Sequence, residues 1–269
     1  MKRVSILLLG FILFLPSYIV CGETIKMATT TSTYETGILD YILKPFEEKY
    51  NIKVYIISVG TGKAIKLGEN GDVDVILIHA PDAEEKFVRD GSGVNRRDVM
   101  YNDFIIAGPE NDPSGIGGIQ SAKEALKKIR DDGYVFVSRG DDSGTHKKEK
   151  DLWRQAGIKP DGQWYLETGQ GMSATLRIAD EKNAYILIDR ATFLFHKKKT
   201  RLISLVEGDS SMLNPYGVIV VSPYRYSHIR YESAMNLVAW FTSQACQKMI
   251  NEYRKNGEKL FHPNADRGL

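Results

Sequence analysis

Cysteine is scarce in this chain. Only Cys21 and Cys246 occur among 269 residues. The first falls in a stretch that reads as a leader, so the mature protein cannot close an internal disulfide and must rely on a hydrophobic core. Cys246, in LVAWFTSQACQKMI on an amphipathic helical pattern, reads as a buried, inert thiol. An apolar run long enough to cross a membrane is missing too. Val4 to Leu15 follows Lys2 and Arg3 and falls short of the ~20 residues that span a bilayer. With Pro16, Ser17 and Val20-Cys21-Gly22 behind it, it reads as an export signal over residues 1–22, cut after Gly22, rather than a retained anchor. A lipid-modified Cys21 is a further option, although Tyr18 and Val20 fit that signal poorly. Charge of one sign is also lacking. The chain has 36 basic and 34 acidic residues, and losing Lys2 and Arg3 with the leader brings the formal balance to zero. This argues against nucleic acid and against a strongly basic hold on a membrane surface. Nothing repeats at a fixed period, and no segment is of low complexity, which sets aside solenoids and disordered arrays.

Nucleotide loops fail where they are sought. A hydrolytic phosphate loop at Gly60-Thr61-Gly62-Lys63 would need Gly in place of Ile57 and Ser or Thr in place of Ala64, and a dinucleotide fingerprint from Gly60 fails at Ile65. Gly169 to Ala174 does satisfy the weak G-x-G-x-x-A form, with Asp189 at a suitable remove. The strand before it is short and polar, so it fits better as a helix start with free amides.

What the chain does contain is a recurring unit of strand, hydroxyl- or glycine-rich turn, and helix. Thr24 to Ala28 reads as a strand, followed by Thr29-Thr30-Thr31-Ser32-Thr33 and a helix with Ile38, Leu39, Ile42 and Phe46 at helical spacing. Val54 to Val59 leads into the Gly60 turn and a helix closed by Gly71; Asp74 to Ile78 follows, ending at His79, taken as a structural histidine. Tyr101 to Ala107 is another strand, and Ser121 with Glu124 forms a capping box. Later strands are expected at Trp164–Glu167, Ala184–Ile188 and Tyr216–Val221, with a single terminal helix through Cys246 and a loose polar tail from Phe261. The alternation argues for a parallel α/β sheet.

The central stretch is Tyr134 to Glu149, YVFVSRGDDSGTHKKE. A short strand runs into a helix, and between them Arg139 offers a planar fork of donors, Ser143 and Thr145 offer hydroxyls, and Gly144 allows close backbone approach at a helix start. The plain alternative is an ordinary cap by Asp142 or Ser143, with Arg139 paired to Asp141 or Asp142. Four such turns carry donors and only one carries a dedicated cation. Brought together, they suit a small tetrahedral oxyanion. Hydrogen bonds to a charged group contribute about 1.5–3 kcal/mol each, so roughly six to eight could offset ordering costs and reach the ~12 kcal/mol of nanomolar binding. A secreted hydrolase using Ser143 and His146 is a competing reading, but no nucleophile elbow surrounds Ser143. His146 and Glu149 share a helix face, yet two ligands are too few for a metal.

TTTST, GTGKA, DVDVILIHAP, MYNDFIIAGP, SRGDDSGTHKKE and GQGMSATL, in this order, resemble the tungstate-binding proteins of the TupA type, substrate-binding components of ABC importers. The resemblance implies a type II periplasmic binding protein fold: two α/β lobes, a cleft and a two-segment hinge, with lobe I at residues 23–105 and 207–269 and lobe II at 106–206. It implies Arg139 as the signature oxyanion contact, completed by Thr31, Ser32, Thr61, Gly62, Ser143, Gly144 and Thr145. The ligand would be tungstate or molybdate, ions of nearly equal size and charge, with phosphate or sulfate as the alternative, Asp141 or Asp142 then accepting a phosphate proton. No catalytic residue, bare metal or cofactor is implied. The expected partner is a permease, and the chain is expected to be a monomer exported to a periplasm or cell surface. Ser173, where the family pattern leads one to expect glycine, leaves open whether the Gly169 to Thr175 turn touches the ligand.

Overall fold

The computed structural model describes residues 22–255 and 257–265; the expected leader, apart from Gly22, lies outside them. In chain order the elements are β1 (Glu23–Thr30), α1 (Thr31–Glu35), α2 (Ile38–Tyr50), β2 (Ile52–Val59), α3 (Thr61–Asn70), β3 (Val75–Ile78) and α4 (Pro81–Arg89). The long β4 (Gly93–Gly108) leads to α5 (Ala122–Asp131), β5 (Phe136–Ser138), α6 (Gly144–Gln155), β6 (Tyr165–Glu167), α7 (Met172–Glu181), β7 (Tyr185–Asp189), α8 (Arg190–His196) and β8 (Ile203–Val206). The chain returns through β9 (Leu213–Val221), α9 (Tyr231–Thr242), α10 (Gln244–Glu252) and the short β10 (Arg254–Lys255), β11 (Glu258–Lys259) and β12 (His262–Pro263).

Two lobes result. Lobe I orders its strands β2-β1-β3-β9-β4, and lobe II continues from the far end of β4 through β7, β5 and β6. Alternation along each strand explains why both lobes are layered. In β3, Val75 and Leu77 enter one core while Ile76 and Ile78 enter the other; β9 divides Val218 and Val220 from Ile219 and Val221 in the same way. In lobe II, Tyr185 and Leu187 of β7 face one core, and Ile186 and Ile188 the other. Each sheet thus needs helices on both faces, as the unbroken apolar strands suggest.

The sheet is mixed rather than parallel. β1 pairs in parallel with β2 and β3, and β5 with β6 and β7, but β9 runs antiparallel to β3 and β4, and β4 antiparallel to β7. The reason lies in β4, which extends back to Gly93 and changes partner along its length. It pairs with β9 up to Asp103 and with β7 from Phe104. β4 thus changes partner between Asp103 and Phe104, two residues before the expected lobe boundary at 105/106. Met212 is buried in the lobe II core, and Asp209 accepts the Ala122 N–H of lobe II.

Two further expectations are corrected. The terminal helix is two helices, because Ser243 turns the chain to an extended conformation and caps α10 through the Cys246 N–H. The tail is not loose up to residue 265. Phe261 is fully buried and stacks edge-on with Tyr216, β12 pairs with β4, and Gln247 Oε1 accepts the N–H groups of Asn264 and Ala265. Cys246 is a free, buried thiol whose pKa burial pushes up to about 12.

Candidate functional site

The carboxyl ends of β1, β2, β3 and β5 meet between the lobes, so the turns that follow them face one another. Thr30 closes β1 and caps α1, accepting the Thr33 N–H at 3.3 Å, and the chain then presents Thr31 and Ser32. Gly60, in an extended conformation, opens α3, so the N–H groups of its first turn find no acceptor within the helix. β3 ends at His79. From lobe II, β5 delivers Arg139, and Ser143 caps α6 through the His146 N–H at 3.3 Å. One cavity of about 30 Å³ is lined by Thr30, Thr31, Ser32, Gly60, Thr61 and His79 on one side and by Arg139, Ser143, Gly144 and Thr145 on the other. That is room for one small guest, far below the roughly 300–1,000 Å³ of an organic-ligand pocket.

The lobes touch here. The Gly144 N–H of lobe II donates to Thr61 Oγ1 of lobe I at 3.3 Å, which leaves the Thr61 hydroxyl proton free to be donated elsewhere. Thr61 and Thr145 are nearly inaccessible. The Arg139 side chain is only 12% exposed; one of its nitrogens pairs with Asp141, and its Nε is buried without a partner. A buried N–H of that kind costs free energy unless an acceptor meets it. Burial works against the Asp141 carboxylate, but Ser143 and Arg139 together hold its pKa below the usual carboxylate range. Apart from the His79 ring, the wall therefore consists of hydroxyls, backbone N–H groups and one guanidinium, which is the donor set an oxyanion needs.

Seven of the eight sequence-expected residues line this cavity; Gly62 does not. The Gly169 to Thr175 turn is also outside the wall. Ser173 instead bridges the lobes, its Oγ lying 3.4 Å from Glu35 Oε2 and 2.9 Å from His196 Nε2. Asp189, the apparent partner of that glycine pattern, caps α8 by accepting the Thr192 N–H at 2.8 Å. Asp141 is held by Arg139 and Asp142 faces Lys147 and Lys150 at the surface, so neither reaches the cavity to accept a phosphate proton. The Ser143–His146 pair is not poised for proton transfer: His146 Nδ1 accepts the Asp142 N–H at 3.0 Å, and Ser143 Oγ meets the His146 backbone. Sequence reading missed His79, although it ends a strand at the same sheet edge as the expected turns.

Behind Arg139, α6 is anchored by Trp153, fully buried edge-on against Phe136 at 5.1 Å, and by Glu149. Burial raises the Glu149 pKa to about 7, against the opposing hydrogen bonds of Tyr165, Ser138 and Trp153; Glu84 of lobe I is likewise raised to about 7 by burial. Each folded-state value exceeds the unfolded one, so the native state keeps these protons longer and stability falls as pH rises from about 4.5 to about 7, then levels off. We expect Glu149→Gln to stabilise the protein at about pH 8, by on the order of 1–3 kcal/mol, with little stabilisation at about pH 4. Thermal melts across that range check it, and a gain of the same size at both ends would refute it.

Known proteins supply the context. The model of the PBP superfamily domain matches residues 22–245. The tungstate-binding protein TupA of Peptoclostridium acidaminophilum is 46% identical over 90% of this chain and 86% of its own length. A crystal structure described as the tungstate ABC transporter of Geobacter sulfurreducens superposes with TM-score 0.81 and 52% identity over 86% of this chain and 99% of that one. The tungstate-binding protein TupA of Desulfovibrio alaskensis gives TM-score 0.82 and 44% identity over 91% and 100%.

Proposed function

Starting from a chain that belongs to the PBP superfamily and, within it, to the TupA family of tungstate-binding proteins, we propose the following function. The protein captures tungstate outside the cytoplasmic membrane and delivers it to the permease of an ABC importer. It acts as a monomeric binding protein without chemistry of its own, either free in a periplasm or held at a cell surface. The residues that hold the ion are Arg139, Thr31, Ser32, Thr61, Ser143, Gly144 and Thr145, with Gly62 contributing through the start of α3 rather than the cavity wall. No helix among the described residues is long and apolar enough to cross a membrane.

The observation that carries this reading is the unpartnered, buried Arg139 Nε in a cavity of about 30 Å³ whose donors come from both lobes. Such a site gains when a compact dianion satisfies all donors at once, and it closes the lobes over the guest. The test is a competition titration of the mature chain with tungstate, molybdate, sulfate and phosphate. Tungstate should bind at nanomolar concentration with molybdate as the nearest competitor; sulfate or phosphate binding equally tightly would replace this reading with capture of those ions.

A further inference from the structure

His79 stands at the end of β3, 5% exposed, with its ring stacked on Tyr216 at 4.8 Å and on the wall of the oxyanion cavity. A buried chain of hydrogen bonds decides which of its nitrogens carries the proton. Asp189 Oδ1, which as a carboxylate can only accept, receives the Asn102 amide at 3.5 Å. Asn102 Oδ1 in turn receives Asn214 Nδ2 at 2.6 Å, which turns Asn214 Oδ1 towards His79 Nδ1, 3.0 Å away. Each amide is oriented by the next, so Nδ1 must be the donor and Nε2 keeps its lone pair. Among the described residues, Asn214 is the only side chain that hydrogen-bonds the His79 ring.

The charges around His79 are unbalanced for a dianion. Arg139 is already paired with Asp141, and the buried Asp189 has one oxygen without a partner. Lys86 and Asp82 of α4 and Lys147, Lys148, Lys150, Asp151 and Arg154 of α6 line an adjoining hinge-side groove that shares His79 with the cavity. Burial keeps the free imidazole neutral, with Arg139 adding to that effect and Asp189 and Asn214 opposing it. A bare Nε2 lone pair beside oxyanion oxygens would repel them, whereas a protonated ring donates from both nitrogens and adds a positive charge.

We propose that His79 is a ligand-contacting, specificity-determining residue of the cavity, taking up a proton as a fully deprotonated tetrahedral dianion binds. The inference rests on the oxyanion reading of the preceding section. Hydrogen phosphate brings its own proton and makes the opposite demand, hydrogen-bonding to the neutral Nε2 without uptake. Since binding favours the protonated ring, affinity for tungstate is highest below the free-state pKa and falls, by up to about tenfold per pH unit, as pH rises towards the bound-state value.

Calorimetry of the mature chain with tungstate, in two buffers of different ionisation enthalpy near pH 7.5, reads the proton count directly. We expect uptake of about 0.5–1 proton in the native protein, none in His79→Gln, and an affinity in that variant that is weaker yet nearly flat with pH. His79→Asn serves as a second variant, with melting curves as the check on folding. Tungstate binding without uptake in the native protein overturns the inference alone, as does unchanged uptake in the variants. Failure to bind any oxyanion overturns it together with the functional reading.

Discussion

Arg139→Ala will reduce tungstate affinity by about 10²–10⁴-fold while leaving the fold intact. The guanidinium is the one full positive charge on the cavity wall, its Nε lies buried without a partner, and its other arm is fixed by Asp141. Two charge-assisted hydrogen bonds, at about 1.5–3 kcal/mol each, account for about 3–6 kcal/mol. Arg139→Lys will recover no more than about tenfold of this, because an ammonium is a point charge and cannot reproduce the planar fork that meets two oxygens while keeping Asp141. The fold is spared because Arg139 makes no contribution to either lobe's apolar core. Titration calorimetry of both variants measures the loss, and full tungstate affinity in Arg139→Ala would remove this residue from the site.

How much of this was legible in the sequence follows from the range of the forces involved. The Gly60 and Ser143 turns declare themselves locally, since a strand's period ends and glycines or hydroxyls open the next helix; Gly71 at φ 76° closes α3 as its position suggested. The convergence of these turns could be read because parallel strands place their carboxyl ends on one edge. What stayed hidden depends on distant partners. Residues 93–100 of β4 carry Arg, Asp and Asn in a ladder with β9 that bulges between Val94 and Arg97, so no alternation marks them as strand. Phe261 and Asn264 look like a polar tail until Tyr216 and Gln247 are seen to receive them. His79 read as structural because Asn214, Asn102 and Asp189, which set its tautomer, lie far along the chain.

Gly144→Val will abolish tight binding by keeping the lobes apart. Gly144 opens α6 in lobe II, and a Cβ there would lie 3.2 Å from His79 Cε1 and 3.4 Å from the His79 carbonyl oxygen, both in lobe I. Alanine would need His79 to give by a few tenths of an ångström, whereas valine adds two methyl groups against backbone and a stacked ring that cannot move without disturbing Tyr216. The clash spans the cleft, so opening the lobes relieves it and unfolding is not required. An open cleft forfeits one lobe's donors, at least two hydrogen bonds to the ion or about 3 kcal/mol, so affinity should fall by at least about 10²-fold. Gly144→Ala should lose only about tenfold. The melting temperature without ligand should change little in either variant, because the three atoms nearest the added Cβ all belong to His79 of the opposite lobe, while the rise produced by saturating tungstate should vanish in Gly144→Val. Small-angle scattering provides the independent reading: a native protein that compacts on adding tungstate beside a valine variant that does not. If Gly144→Val compacted and bound like the native chain, the closed contact between Gly144, Thr61 and His79 could not be the arrangement that holds the ion.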